Sequence, residues 1–464
     1  MAPQPLLSAL GGRIPSRRSA TRAPGCRLRF ARVPIKVHER DLHTDFLLSL
    51  LRVAARERPD LRIILMSATV DPTAFREYFP GAQEVTIPGR TNYPIEELFL
   101  EDVLPLLPPA SPNDRKQRAP SAFADGPLPG VPLDPAGVAA ALPHTTPAIA
   151  AQLAAAHSAM ADDVDLDLVV RTVLHIHFQR EEGAVLVFVP GWAEIAEIVK
   201  RLTSSTAARD LLVLPLHSRM PTAEQREIFD SPRDGARKVV VATILAETSI
   251  TIEDVVYVVD TGRTKSTSVS ASSLVPTLRT VWYARANGMQ RRGRAGRCRP
   301  GVWYRLYSSL QWGALDEHAT PEMLRAPLEE LCLEVGALRL GPPEEFLATA
   351  ISPPDPAAVR RALSLLRRLG AMADARGTAL TALGERLAAL RVHPTLGKML
   401  LLAGLFGCYG PVLTIAAALG YRSPFLCPLG KEREADLCKR ELAAGSESDH
   451  VALANAYEGW LRHG

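Results

Sequence analysis

The string QRRGRAGR, Gln290 to Arg297, lies in a stretch from Arg285 to Arg299 that holds six arginines and no acidic residue. Phosphoryl transfer spreads negative charge over the γ-phosphate oxygens, and guanidinium groups stabilise that charge through forked, charge-assisted hydrogen bonds. On a helix, Arg294 and Arg297 are three residues apart and share a face, while Gly293 and Gly296 leave room for close approach. Two arginines would then reach one triphosphate. Taken alone, such a string is more often a solvated basic helix or a simple grip on phosphate, so its meaning depends on the elements around it.

Those elements read as alternating helix and strand. Between His38 and Tyr93, DFLLSLLRVAARE has apolar residues at helical spacing, Pro59 and Asp60 break it, and LRIILMSA is a buried-strand run ending in the turn SAT. This predicts part of one α/β domain over residues 37–101. Residues 102–161 are rich in proline and alanine and predict a flexible insert or linker. DLDLVVRTVLHIHFQ then leads into AVLVFVPGW, and β-branched strands follow at LLVLPL, KVVVAT and VVYVVD. A second parallel-sheet α/β domain is expected over 162–310. Beyond it, VRRALSLLRRLGAM, LTALGERLAAL and PTLGKMLLLAGLFG carry helical spacing and predict a mainly helical end.

Composition narrows the class. The chain has 464 residues, 47% of them hydrophobic and 22% charged, enough for several cores. The net charge of +4 is too small to name a nucleic-acid partner, so the placement of the arginines matters more than their sum. No apolar run approaches the roughly 18 to 20 residues that span a bilayer, and no membrane association is expected. The six cysteines show neither CxxC spacing nor a His-rich neighbour, so reduced thiols of an intracellular protein, cytoplasmic or nuclear, are expected. Residues 1–36 are expected to be disordered. The first 34 are rich in Arg and Ser without Asp or Glu, like an organelle transit peptide, the alternative being unrelated residues joined to the rest.

Read in order, VHER (Val37 to Arg40), SAT (Ser67 to Thr69), VFVPGW (Val187 to Trp192), LHS (Leu216 to Ser218), ATILAETSITI (Ala242 to Ile252), VVDTG and QRRGRAGR resemble the motifs of DEAH/RHA-type (DExH-box) ATP-dependent RNA helicases. TPEMLRAPLEELCL, LTALGERLA, HPTLGKMLLLA and SDHVALANAYEGW resemble the winged-helix and ratchet regions of the same family. The likeness is greatest to the RHA branch that includes the G-quadruplex-resolving helicases. It implies an α/β fold of RecA-like (P-loop NTPase type) parallel-sheet domains, the first incomplete, then a winged helix over 311–393 and the start of a helical ratchet over 394–464. ATP and Mg²⁺ are the implied cofactors. Single-stranded RNA is the implied partner, with DNA or a quadruplex as alternatives.

Carried over residue by residue, the resemblance makes Gln290, Arg294 and Arg297, with His38 and Glu39, the catalytic group facing ATP held by the first motor domain. Ser67, Ala68, Thr69, Arg291 and Gly293 would bind ATP or couple it to movement. Pro190, Gly191, Trp192, His217, Ser218, Thr243 and Thr248 would touch the RNA backbone, a contact that positions a strand without reading its sequence.

The chain departs from the family pattern in places that matter. Where relatives carry an acidic pair for Mg²⁺, this chain has Ile35 and Lys36. No string matches GxxxxGK[ST], because the GK pairs at Lys398 and Lys431 are followed by Met and Glu. Ile244 replaces an asparagine, and Arg263 stands where some relatives place an aromatic that stacks on adenine, a role arginine could share. The expectation is therefore a helicase chain that starts inside its first motor domain, stops before an OB-fold, and does not turn over ATP by itself. The alternative is a catalytically dead remnant that still binds RNA or a partner.

Overall fold

The computed structural model describes residues 32–37, 39–58, 60–67, 72–87, 92–108, 126–159, 164–218, 220, 225–230, 232, 235–248, 250, 252–269, 276–421, 423–426 and 430–463. The chain divides into two compact units, one of Met1–Val85, Thr320–Phe425 and Arg433–Gly464, the other of Thr86–Ala319 and Leu426–Glu432.

In the first unit, β1 (Arg32–Lys36) and β2 (Arg62–Met66) pair in parallel. Residues 32–36 thus form a strand where the composition of the N-terminus predicts disorder; residues 1–31 lie outside the described residues. Helix Leu42–Glu57 begins at Asp41, whose carboxylate accepts from Thr44 N at 2.9 Å and satisfies a main-chain donor of the first turn. The helix has two apolar faces. Leu48 and Leu51 pack with Ile35, Phe75 and Tyr78, while Phe46 joins the core formed by Leu331, Leu347, Val359, Leu366 and Leu387 of the helical region. That region contains helices Glu329–Ala337, Pro343–Leu347, Pro356–Leu369 and Ala382–Leu390, followed by Pro394–Leu405 and Tyr409–Gly420. The helix expected from SDHVALANAYEGW runs over Asp449–His463.

The second unit is built on a six-stranded, wholly parallel sheet. Its strands are β3 (Ile95–Leu98), β4 (Ala184–Phe188), β5 (Leu211–Leu216), β6 (Arg237–Ala242), β7 (Val255–Asp260) and β10 (Gly301–Arg305), in the order β3-β10-β7-β4-β6-β5. An antiparallel hairpin, β8 (Arg263–Val269) with β9 (Pro276–Trp282), stands apart from it. The central strands β4, β7 and β10 are buried at every position, as a parallel sheet covered on both faces requires. Each fully buried valine there, such as Val185, Val187 or Val259, contributes roughly 1.5–3 kcal/mol through removal from water. Pro215 sits in β5, an edge strand, where a missing N–H costs least.

Two regions differ from the sequence expectation. Residues 95–98, expected in the first α/β domain, form β3 of the second sheet, with Ile95 to Leu98 in register with Gly301 to Tyr304. The proline- and alanine-rich segment is not a simple linker, because residues 126–159 fold onto this unit: Val138, Leu142, Ala150, Leu153 and Ala154 are part of its main core. The prolines do not oppose this. Pro135 and Pro147 stand in the first turn of helices Pro135–Ala141 and Pro147–His157, directly after the capping residues Asp134 and Thr146, where proline's fixed φ is favourable.

His157 locks that segment in place. Its Nδ1 lies 2.7 Å from the Pro132 carbonyl, which can only accept, so Nδ1 carries the hydrogen and Nε2 accepts from the Ser308 hydroxyl at 2.7 Å. Burial pushes the His157 pKa below its ordinary 6.5, outweighing the Pro132 carbonyl and the Glu101 charge, which pull it up. The neutral ring is therefore the form the fold prefers, and protonation favours the unfolded chain. The contribution is complete above the unfolded pKa of about 6.5 and is lost as pH falls from there towards the folded value. Thermal unfolding between pH 7.5 and 5 should show a falling midpoint in the wild type and a flatter profile in His157→Gln; parallel profiles would exclude this assignment.

Candidate functional site

One register line crosses the second sheet. Leu216 pairs with Ala242, Ala242 with Phe188, Phe188 with Asp260, and Asp260 with Arg305. The residues just beyond it leave the sheet at its carboxyl edge, where open parallel sheets bind ligands. They include Pro190, Gly191 and Trp192 after β4, His217 and Ser218 after β5, and Thr243 after β6. The structure thus brings most of the RNA candidates to one edge. The Trp192 and His217 rings lie 5.5 Å apart, and a Cβ on Gly191 would run into the Lys265 ammonium group. Thr243 is buried and Ser218 exposed, whereas Thr248 ends the short helix Leu245–Thr248 with its side chain outside the described residues. Lys265, from the hairpin, is a cation beside these residues that motif matching did not single out.

Ser67 follows β2 in the first unit and is exposed, as is Glu39; His38, Ala68 and Thr69 lie outside the described residues. Arg40 binds Asp45 through two nitrogens at 2.8 and 2.9 Å and Ser352 at 2.8 Å, so this member of VHER holds the fold. Ile35 is buried and Lys36 exposed at the end of β1. An alkyl group and an ammonium offer no oxygen to Mg²⁺, so this pair does not fit the metal.

The arginine string divides into members with different roles. Helix Arg285–Arg292 ends before Arg294, against the expectation that one helix carries Arg294 and Arg297. Gly293 caps it, and Gly296 has φ +67°, a conformation that L side chains rarely adopt. A Cβ on Gly296 would also lie 2.7 Å from the Ile95 side chain, so this glycine lets the chain pass close to β3. Arg291 is buried. Its Nε donates to Glu247 at 3.0 Å, its Nη1 to Asp260 at 2.7 Å and its Nη2 to the Arg263 carbonyl at 3.1 Å. The Phe188 and Tyr283 rings flank it at 4.8 and 4.6 Å. Burial opposes its charge, but the Asp260 and Glu247 carboxylates more than offset that and hold its pKa above the ordinary value. Arg291, expected among the nucleotide-binding residues, therefore has its donors turned inward and supports the site from within.

Asp260 is the other centre of this network. At 0% exposure it accepts from Gly262 N, Arg291, the Tyr283 hydroxyl at 3.0 Å and the Trp303 indole at 3.4 Å. Burial, followed by the Asp260 charge, pushes the Tyr283 and Tyr307 hydroxyls well above their ordinary pKa. Asp260, Glu247 and Asn287 are neighbours of the arginine string that sequence reasoning missed, although the two acids stand inside the VVDTG and ATILAETS strings. Arg292 pairs with Glu97 of β3 at 2.6 Å. Arg263 is 5% exposed with its guanidinium 2.9 Å from the centre of the Trp282 ring, so the Trp282 ring covers one face that the sequence reading left open to a base.

Arg294 and Arg297 differ from these. Arg294 is half-buried and donates to the carbonyls of Glu247 and Ile250, and its Nε has no partner. Arg297 makes a long contact of 3.5 Å to the Gly293 carbonyl. Among the described residues no carboxylate pairs with either. Burial and the neighbouring Arg297 charge depress the Arg294 pKa, with Glu247 opposing. A half-dry cation beside a like charge gains from an anion. Gln290, in the last turn of the helix, is partly exposed.

Residues 168–299, which contain this arrangement, match the Helicase conserved C-terminal domain, and residues 393–453 match the Helicase associated domain (HA2), ratchet-like. The chain belongs to the DEAH/RHA-type (DExH-box) helicase family. It is 44% identical over 437 residues to the DExH-box ATP-dependent RNA helicase DExH1 of Arabidopsis thaliana, and 41% identical over 438 residues to the ATP-dependent DNA/RNA helicase DHX36 of Homo sapiens. Each alignment covers 92% of this chain and 43% of the relative, so the chain spans well under half the length of these curated relatives.

Replacing Arg291 by alanine would leave two buried carboxylates without a counter-charge, an expected loss of about 3–5 kcal/mol in unfolding free energy. Arg297→Ala, at a partly exposed position beside a like charge, should change it by no more than about 0.5 kcal/mol. Urea unfolding followed by tryptophan fluorescence compares the two; equal losses would remove the distinction between the buried, paired arginine and the partly exposed one.

Proposed function

We propose that this chain carries the second motor lobe, winged helix and ratchet start of an ATP-dependent RNA helicase, with Arg294 and Arg297 as the groups that meet the triphosphate of ATP. The observation that carries this reading is the contrast within one string. Arg291 is neutralised inside the unit, while among the described residues no carboxylate pairs with Arg294 or Arg297 and one donor of Arg294 stays unused. Guanidinium groups in that state suit charge that develops on phosphoryl oxygens. Gln290 would orient groups at the same phosphates. Ser67 and Thr69 would transmit nucleotide state.

The carboxyl-edge residues Pro190 to Trp192, His217, Ser218, Thr243 and Thr248, joined by Lys265, would hold the backbone of single-stranded RNA. Phosphate contacts of this kind depend on salt and not on sequence. By itself the chain would not hydrolyse ATP, since it has no phosphate-binding loop of the GxxxxGK[ST] type and Ile35 and Lys36 supply no metal ligand. The setting would be intracellular.

Purified chain should bind a single-stranded RNA oligomer with an affinity that falls steeply with salt, with or without ATP, and should show no RNA-stimulated phosphate release. Anisotropy titrations at two salt concentrations and a phosphate-release assay check both. Turnover that disappears in the Arg294→Ala/Arg297→Ala double variant would refute the inactivity. Equal affinity for RNA and for duplex DNA of the same length, or none for RNA at low salt, would refute the RNA grip.

A further inference from the structure

Glu247 is buried in the short helix after β6, at 1% exposure, and uses its two ends for different purposes. One carboxylate oxygen accepts from Asn287 at 2.6 Å and the other from Arg291 Nε at 3.0 Å, which fastens the segment to helix Arg285–Arg292. Its main-chain carbonyl accepts from Arg294 Nη2, and the Ile250 carbonyl accepts from Arg294 Nη1 at 3.0 Å. Both terminal nitrogens of Arg294 are thus tied to one loop. A guanidinium held by two carbonyls cannot rotate freely about Nε–Cζ, and the donors it has left are those on its outer edges.

We infer that Glu247 is the positioning residue of Arg294: its carboxylate clamps the loop to the arginine helix so that the loop carbonyls aim the Arg294 guanidinium. The functional consequence rests on Arg294 facing phosphate, but the clamp itself does not. Asn287 is part of the clamp, since it is the second donor to the same carboxylate. A long arginine side chain without such a hold samples many rotamers and would have to be ordered at each binding event. The clamp also joins the loop that carries Thr243 and Thr248 to the string that carries Arg294.

Arginine side-chain NMR on the isotopically labelled full chain reads rotation about Nε–Cζ for each guanidinium. Glu247→Ala should speed rotation at Arg294 roughly tenfold, as expected for losing hydrogen bonds to a charged group. Glu247→Gln keeps an oxygen for Arg291 and should largely preserve the wild-type rate. Asn287→Ala removes half of the clamp without leaving a buried charge unpaired, so it reports even if Glu247→Ala does not fold, and should give an intermediate rate. Leu202→Ala, a core truncation in the same unit, lowers stability without touching the clamp and should leave Arg294 unchanged. Wild-type rotation at Arg294 in Asn287→Ala and in any folded Glu247→Ala, or equal release by Leu202→Ala, overturns the inference. Adding inorganic tripolyphosphate to the wild type tests the underlying reading separately: no shift at Arg294 or Arg297 would overturn the nucleotide assignment, whatever the clamp variants show.

Discussion

Arg291 lies between Glu247 and Asp260 in the interior of the second unit, and these three charges constrain most of what surrounds them. Two carboxylates buried together would repel one another and lose their hydration; a guanidinium with donors directed to both removes the repulsion and supplies hydrogen bonds in water's place. The ion triplet joins the end of β7, the loop after β6 and helix Arg285–Arg292, three segments with no covalent reason to be neighbours. Asp260 then carries the constraint further, through Tyr283 and Trp303, into the aromatic layer that contains Tyr307 and Trp312.

The same residue type behaves differently a few positions away because the partners change. Arg292 is tied to Glu97 on the sheet edge, and among the described residues Arg294 and Arg297 donate to main-chain carbonyls and to no carboxylate. A carbonyl gives direction to a cation without cancelling its charge. The string therefore combines neutralised arginines that hold shape with charged ones whose field is left for something else, and Gly293, at the end of the helix, separates the two groups.

How far the sequence revealed this depends on the range of the interaction. The strands of the second sheet were legible because continuous β-branched runs such as KVVVA and VVYVV suit a sheet buried on both faces. β3 was not, since IEEL is four residues long with two acids, and its place is set by pairing with β10 some two hundred positions away. The proline- and alanine-rich segment was misread because composition cannot show that Pro135 and Pro147 occupy helix starts. The helix through Arg294 was carried too far because two glycines permit both close packing and a left-handed turn. Nothing local distinguishes Arg291 from Arg294: the acids that claim Arg291 are 31 and 44 residues away in the chain.

In the first unit, one helix is held by contacts on both of its sides. Arg40 keeps its paired hydrogen bonds to Asp45 and its contact with Ser352, while Phe46 packs against Phe346 and Arg52 lies over the Tyr78 ring at 4.4 Å. These contacts use the helical region as a second wall for helix Leu42–Glu57, so the two-stranded sheet is not left to stabilise itself, which a pair of strands does poorly in water. Ile35 contributes to the core of Leu48, Leu51, Phe75 and Tyr78 from the strand β1. An apolar side chain there adds burial to a core that helix Leu42–Glu57 and the Phe75 and Tyr78 rings already close, so the end of β1 is held by packing.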